Sequence, residues 1–435
     1  MIYKISISLV FLILFGLFTM LSNKIYKTIF NPITLFNVVW LLFGCIAMQG
    51  PYDFYIPQIN TVIIIITAVI TFNIVAIIGE TKVKNKTKML DYSNFECNSK
   101  LIILFNFIAY TYLVPHTIKA VEIILSSGWT QLRYCILNNL IVFTKSETIF
   151  CTMFIYPIFT ATLIITAIKI VSRKMRPGLA IIAVVDIVLN MLTSGGRFML
   201  FIFLILIIGA YFVNKNRKIY KLKFRDKCLL LIGIACLVYI TMNRRIGDTS
   251  VFQNIVAYFI GPFAFFDRIV NNPSQFGLFE NYGFGIATFG WIFSAIVFIL
   301  KNTLNLNIES IDTVLSAYSG QYYNVSSSVK LNHTSNMLYP MLYDYGYLGP
   351  LIGTAIFAGI FVFVYKKAKH SGKQQAFWIS CAVYMTYIIF ASSYEYILIW
   401  ARTFFELFYL FVFCYASKHS LRFINRKNKD VKEQC

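Results

Sequence analysis

Long apolar runs separated by short basic connectors make up nearly all of this chain. They fall at 5–22, 33–49, 59–79, 101–119, 149–171, 178–194, 197–213, 228–243, 251–268, 283–300, 347–365, 376–393 and 397–416. Hydrocarbon offers no partner to backbone N–H and C=O groups, and the runs lack the alternation of barrel strands, so each predicts an α-helix. The expected fold class is all-α: a polytopic integral membrane protein of about 11–14 transmembrane helices with a large late extracytoplasmic loop. The runs at 251–268 and 283–300 are interrupted by Gly261-Pro262 and by Gly283 and Gly285, which predicts that they either both span or both re-enter. The first run, Ile5 to Met20, has no small-residue cleavage site and is followed by more spans, so it is expected to stay as a helix. Residues 1–435 are expected to form a single membrane domain in which 244–346 is the extracytoplasmic region.

Charge sets the expected orientation. The net charge is +21, but the basic residues sit in connectors, where they orient spans, and this excludes nucleic acid as the expected partner. Lys82 to Lys100, Arg173 to Arg176, Lys215 to Lys227, Lys366 to Lys373 and the tail from Lys418 to Lys432 fall on one face, which is predicted to be cytoplasmic. Lys24 and Lys27 then place the N-terminus outside. Gly50 to Gln58, Ala120 to Thr148, the Ser194 to Arg197 turn and the non-membrane part of 242–346 lie on the opposite side, facing out of the cell. With 58% hydrophobic and only 13% charged residues, polar groups able to do chemistry are scarce, and many gather in these outer segments. The nine cysteines form no C-x-x-C pair, which argues against a zinc site or a disulfide framework. There is no phosphate-binding glycine loop, dinucleotide fingerprint, H-E-x-x-H, G-x-S-x-G or D-x-D; neither a metal, a nucleotide donor nor any cofactor is expected.

Arg197 follows a Gly-Gly turn between two apolar runs. Asp186, Asn190 and Thr193 precede it by eleven, seven and four residues, which puts them on one helical stripe leading to it. A mid-span carboxylate costs about 2.5–3.5 kcal/mol on insertion scales, so this stripe is expected to face the bundle interior. It reads either as a polar seam ending in an anion-binding guanidinium or as an interfacial arginine above a structural Asp–Asn contact. Arg244 and Arg245 run against the positive-inside rule, for which an anionic ligand or lipid headgroups would account. Arg133 lies in an outer segment resembling a surface helix, either in use or simply solvated. His333 is a general base, a donor to phosphate or a solvated side chain. Asp344, between Tyr343 and Tyr345, is either a base or the cap of the helix starting near Tyr347. Glu395, between Tyr394 and Tyr396, suits a sugar platform or an interfacial belt. Asp267-Arg268 and the pair Arg402 and Glu406 read as structural.

Three stretches carry a resemblance to the bacterial O-antigen and capsule polysaccharide polymerases, which join oligosaccharide repeat units: Asn31-Pro-Ile-Thr-Leu-Phe-Asn-Val-Val-Trp, Thr193-Ser-Gly-Gly-Arg-Phe, and Asn332 to Gly349 with its Tyr-Asp-Tyr-Gly. His333 with Asn336 is also similar to the outer-loop element of O-antigen ligases. The spaced Arg-Gly motif of some polymerases is absent: none of Arg133, Arg197, Arg244, Arg245 or Arg268 has Gly eleven residues on. The resemblance implies a metal-independent membrane glycosyltransferase at the outer face of a bacterial inner membrane. There the growing chain leaves undecaprenyl pyrophosphate and joins a hydroxyl of the next lipid-linked repeat unit. It implies that Arg133, Arg197, Arg244 and Arg245 hold the pyrophosphate, that His333, Asp344 or Glu395 acts as base, and that Asn336, Tyr343 and Tyr345 contact sugar. The implied partners are the undecaprenyl-pyrophosphate-linked donor and acceptor, the lipid bilayer and a chain-length regulator protein. The rival expectations are an O-antigen ligase, a transporter or flippase of lipid-linked oligosaccharide, and a purely structural membrane protein.

Overall fold

The computed structural model describes residues 2–82, 89–215, 251–280, 282–304, 306–331, 335–370 and 374–415. Arg244, Arg245, His333 and the run expected at 228–243 lie outside the described residues. About 77% of the described residues are helical, consistent with an all-α protein. Among the described residues six helical stretches are long and apolar enough to cross a membrane: Ile2–Tyr26, Ile59–Thr81, Ser99–Leu137, Lys145–Val171, Pro177–Ser194 and Leu338–Lys369. Shorter apolar helices occupy Pro32–Ala47, Phe198–Val213, Gly290–Leu304 and Gln375–Ala391.

The residues gather into two compact units. The first comprises Met1–Lys88, Thr241–Lys366 and Met385–Phe404; the second comprises Met89–Ile240, Lys367–Tyr384 and Phe405–Cys435.

In the first unit, α1 (Ile2–Tyr26) is followed by α2 (Pro32–Ala47). Asn31 caps α2 by accepting from the Thr34 amide at 2.9 Å, and Pro32 supplies a first residue that needs no donor. A π turn over Val38–Leu42 swells this helix and sets Trp40 inward, fully buried. Phe36 stacks on Phe72 of α3 (Ile59–Thr81) at 3.7 Å. Asn37 and Asn73 exchange amide hydrogen bonds of 3.1 and 2.7 Å between the same helices. Such paired polar contacts matter in a bilayer, where burying apolar surface no longer drives helices together. Later come α4 (Val251–Asn271), α5 (Gly290–Leu304) and α6 (Ile311–Ser319), then a small hairpin pairing Tyr323 with Leu331, and finally α7 (Leu338–Tyr345) and α8 (Gly349–Lys369). Gly346, at φ +56°, makes the bend between α7 and α8. The run expected at 283–300 starts as a helix only at Gly290, because residues 283–289 form turns around Asp344.

In the second unit, α9 (Ser99–Leu137) is longer than the span expected at 101–119. It keeps Pro115 inside and breaks at Gly128, φ +82°, so that residues 129–137 form a separate helical piece carrying Arg133. Next, α10 (Lys145–Val171) starts on a reciprocal capping box between Thr144 and Glu147 and runs through the middle of the unit, with every residue from Pro157 to Ile168 buried. It is followed by α11 (Pro177–Ser194) and α12 (Phe198–Val213), joined at Gly195 in the left-handed conformation, φ +61°.

Candidate functional site

In the first unit the polar groups centre on the turn at 392–400, between α13 (Gln375–Ala391) and α14 (Ala401–Tyr415). This turn is held from four sides. The Trp40 indole donates to Ser392 Oγ at 2.8 Å, and the Met337 amide donates to the Ser392 carbonyl at 2.8 Å. Tyr396 donates to the Thr288 carbonyl at 2.8 Å. Thr403 donates to the Ile397 carbonyl at 2.8 Å. Burial first, then the nearby Asp344 carboxylate, push the Tyr396 phenol above its ordinary value, so it remains a donor. Two of the three stretches that carry the resemblance, one ending at Trp40 and the other at Gly349, therefore meet at Ser392.

Glu395 rides on this fixed turn. Its carboxylate pairs with Arg402 at 3.6 Å, and the guanidinium lies over the Trp400 ring, 5.8 Å from the centroid. The i, i+4 spacing points Arg402 to Glu406; the turn brings Glu395 to Arg402 as well, and Glu406 accepts from Tyr384. Glu395 also borders a small hollow of about 20 Å³, with Ser316, Ser319, Ser335, Tyr339 and Trp400 among its walls. That volume admits one water, not a sugar ring, so a glycan at this place requires the walls to part. Nothing in the periodicity of the sequence marks Ser316, Ser319 or Trp400; they belong to the hollow through tertiary contact alone.

Asp344 has a structural task. It is fully buried. One carboxylate oxygen accepts from the Ala287 amide at 3.0 Å, the other from the Thr288 amide and the Thr288 hydroxyl at 2.6 Å each. With its oxygens committed and no exposure, it is not placed to take a proton from an acceptor hydroxyl. It caps the turn before α5, not the helix near Tyr347. Gly283 is required beside it, since a Cβ there would lie 2.2 Å from Asp344 Oδ1. Tyr343 and Tyr345 are half-buried and rest on this turn, against Gly283 and Gly285 respectively. Asn336 is buried and accepts from the Leu338 amide at 3.0 Å, starting α7; its Nδ2 has no hydrogen-bond partner among the described residues. His333 stands two residues before Ser335 in sequence but lies outside the described residues, as do Arg244 and Arg245.

The second unit contains Arg197 and Arg133. The stripe expected on α11 is buried throughout: Asp186, Asn190 and Thr193 are at most 6% exposed. Asp186 accepts from Tyr110 at 2.6 Å, Thr193 and Tyr156 share a hydrogen bond of 3.1 Å, and Ser194 donates to Asn190 at 3.4 Å. Arg197 stands at the head of the stripe as the residue preceding α12, with Nη1 buried and without a hydrogen-bond partner among the described residues. Among the described residues no carboxylate lies within ion-pair distance of it. Arg133 reaches the same corner: its Cα would lie 3.3 Å from a Cβ on Gly195, and its side chain is exposed. The turn and the short helix at 129–137 therefore bring two guanidinium-bearing residues to one end of the unit. That clustering suits an anion with several oxygens.

Among the described residues no cluster of three or more His, Cys, Asp or Glu side chains is set to hold a metal. Comparison of the chain with protein-family models, with curated proteins and with solved structures finds no match.

Proposed function

We propose that this protein is a membrane glycosyltransferase that polymerises undecaprenyl-pyrophosphate-linked oligosaccharide repeat units into O-antigen or capsular polysaccharide. The observation that carries this reading is Arg197, whose buried Nη1 faces no protein acceptor among the described residues, at the head of a buried polar stripe and beside Arg133. A guanidinium keeps its charge at any working pH, so it stabilises a departing pyrophosphate without a metal. The transfer breaks the bond between the anomeric carbon and pyrophosphate and forms one from that carbon to the acceptor oxygen. The acceptor proton goes to a base, for which Glu395 on its braced turn and His333 are the remaining choices once Asp344 is assigned to the frame. In this reading the chain spans the bacterial inner membrane about thirteen times.

Purified protein incubated with lipid-linked repeat units alone tests it. A ladder of products, each longer by one repeat, supports polymerisation. Transfer seen only when a different acceptor is added makes the chain a ligase. Asp186 favours a second reading: a buried carboxylate within a span suits a transporter or flippase. In that case no product forms, and labelled lipid-linked repeats change leaflet in vesicles containing the protein.

A further inference from the structure

One side of the first unit carries a groove that the proposed transfer does not use. It has a volume of about 410 Å³ and runs between the first turns of α3, Val270 near the end of α4, and Tyr347 and Pro350 where α8 begins. That size falls within the roughly 300–1,000 Å³ of small-ligand sites. Both α3 and the stretch containing α8 are long and apolar enough to cross a membrane, so the groove opens on helices that lipid surrounds.

The groove changes character with depth. Asn60, in the first turn of α3, is exposed, and its side-chain amide makes no hydrogen bond among the described residues. Tyr347, 71% exposed, rests on the Phe279 ring with 4.6 Å between centroids, and its hydroxyl is likewise without a partner among the described residues. Deeper along α3 come Ile63, itself 55% exposed, Ile64 and Thr67. Thr67 gives its hydroxyl proton back to the Ile63 carbonyl at 2.8 Å, so the deeper wall offers no free donor. Asn60 and Thr67 are seven residues apart, about 10 Å along the helix axis. Among the described residues no charged side chain lines the groove.

Walls that are polar at the mouth and apolar one to two turns below fit one class of ligand. A lipid sets its ester oxygens beside an aromatic ring at the interface and its chain against the aliphatic side chains below. A sugar would leave hydroxyls unpaired against Ile63 and Ile64. An empty recess would forfeit the packing contacts of its lining.

We infer that this groove is a binding site for one phospholipid, whose ester oxygens accept from the Asn60 amide and the Tyr347 hydroxyl and whose acyl chain lies along Ile63, Ile64 and Thr67. The neutral lining selects for the ester and the chain, not for the charge of the headgroup. The site does not depend on glycan transfer and holds whichever reading of Arg197 is correct.

The test uses the full-length protein, extracted in a mild detergent and examined by native mass spectrometry, with bound lipid identified by fragmentation. Wild type should keep one phospholipid per chain. Ile63→Trp fills the groove from an exposed position and should lose it, whereas Ile78→Trp, the same change at another exposed position of α3, should keep it. Asn60→Leu removes the amide at the mouth and should lower occupancy about five-fold; it serves where the tryptophan variant fails to fold. Phosphatidylethanolamine or phosphatidylglycerol added to stripped protein should restore the complex in wild type and not in Ile63→Trp. A wild type that keeps no lipid and takes none up, or a lipid held equally by Ile63→Trp, overturns the inference. So does a polyprenyl phosphate found in place of the phospholipid.

Discussion

Replacing Asp344 by alanine separates an anchor from a catalyst. The substitution leaves two buried backbone amides, those of Ala287 and Thr288, and the Thr288 hydroxyl without their acceptor. Each stranded buried donor costs about 1–3 kcal/mol, so the three together cost roughly 3–6 kcal/mol, allowing for water entering the space. That is a large part of the stability of an ordinary fold, about 5–15 kcal/mol. The damage should pass to the 392–400 turn, because the Thr288 carbonyl that loses its support is the acceptor for Tyr396. Thr288→Val removes only the hydroxyl and leaves both amides satisfied, so it should cost about 1 kcal/mol. The assay is thermal unfolding in detergent followed by tryptophan emission, since Trp40 is buried and bonded to Ser392. The expected order of midpoints is wild type, then Thr288→Val, then Asp344→Ala far below. An Asp344→Ala protein that unfolds like wild type yet forms no product would refute the anchoring role and return Asp344 to the chemistry.

Four further outcomes follow from the same contacts. Trp40→Phe keeps the ring but loses the bond to Ser392 Oγ, which should cost about 1 kcal/mol by the same unfolding assay. Gly349→Ala places a Cβ 2.2 Å from the Met341 carbonyl oxygen, so α7 and α8 must separate and expression of folded protein should fall sharply. Thr144→Ala removes the capping box at the start of α10 and should lower stability by about 1 kcal/mol, and Thr144→Ser should restore it. Because the folded value of the Tyr396 phenol is raised, its contribution is whole below the unfolded value, about pH 10, and is lost as pH climbs through the folded one; Tyr396→Phe should therefore flatten the loss of stability between neutral and strongly alkaline pH.

The helices were legible because a membrane leaves so few choices. An apolar run must close its own hydrogen bonds, so the runs at 5–22, 59–79, 149–171 and 178–194 became helices over nearly those residues. Burial of Asp186, Asn190 and Thr193 was legible for a related reason, since polar side chains on one stripe avoid lipid. Contacts between distant residues were not. Asp344 reads locally as a cap for the next helix, whereas its partners are Ala287 and Thr288 in a turn far earlier in the chain. The spacing rule for helices points Arg402 to Glu406; it does not reveal that a turn also brings Glu395 within 3.6 Å. The run expected at 101–119 continues as α9 to Gly128, where a positive φ makes the break. The hollow beside Glu395 was invisible for the same reason, being assembled from three separate segments.

The central claim is that the Arg197 guanidinium holds a lipid-borne pyrophosphate, and binding of undecaprenyl pyrophosphate to the purified protein in nanodiscs measures it directly. A charge-assisted hydrogen bond is worth about 1.5–3 kcal/mol, so Arg197→Gln should weaken binding by about ten- to hundred-fold, with the unfolding midpoint unchanged. Equal affinity in wild type and Arg197→Gln would contradict the account.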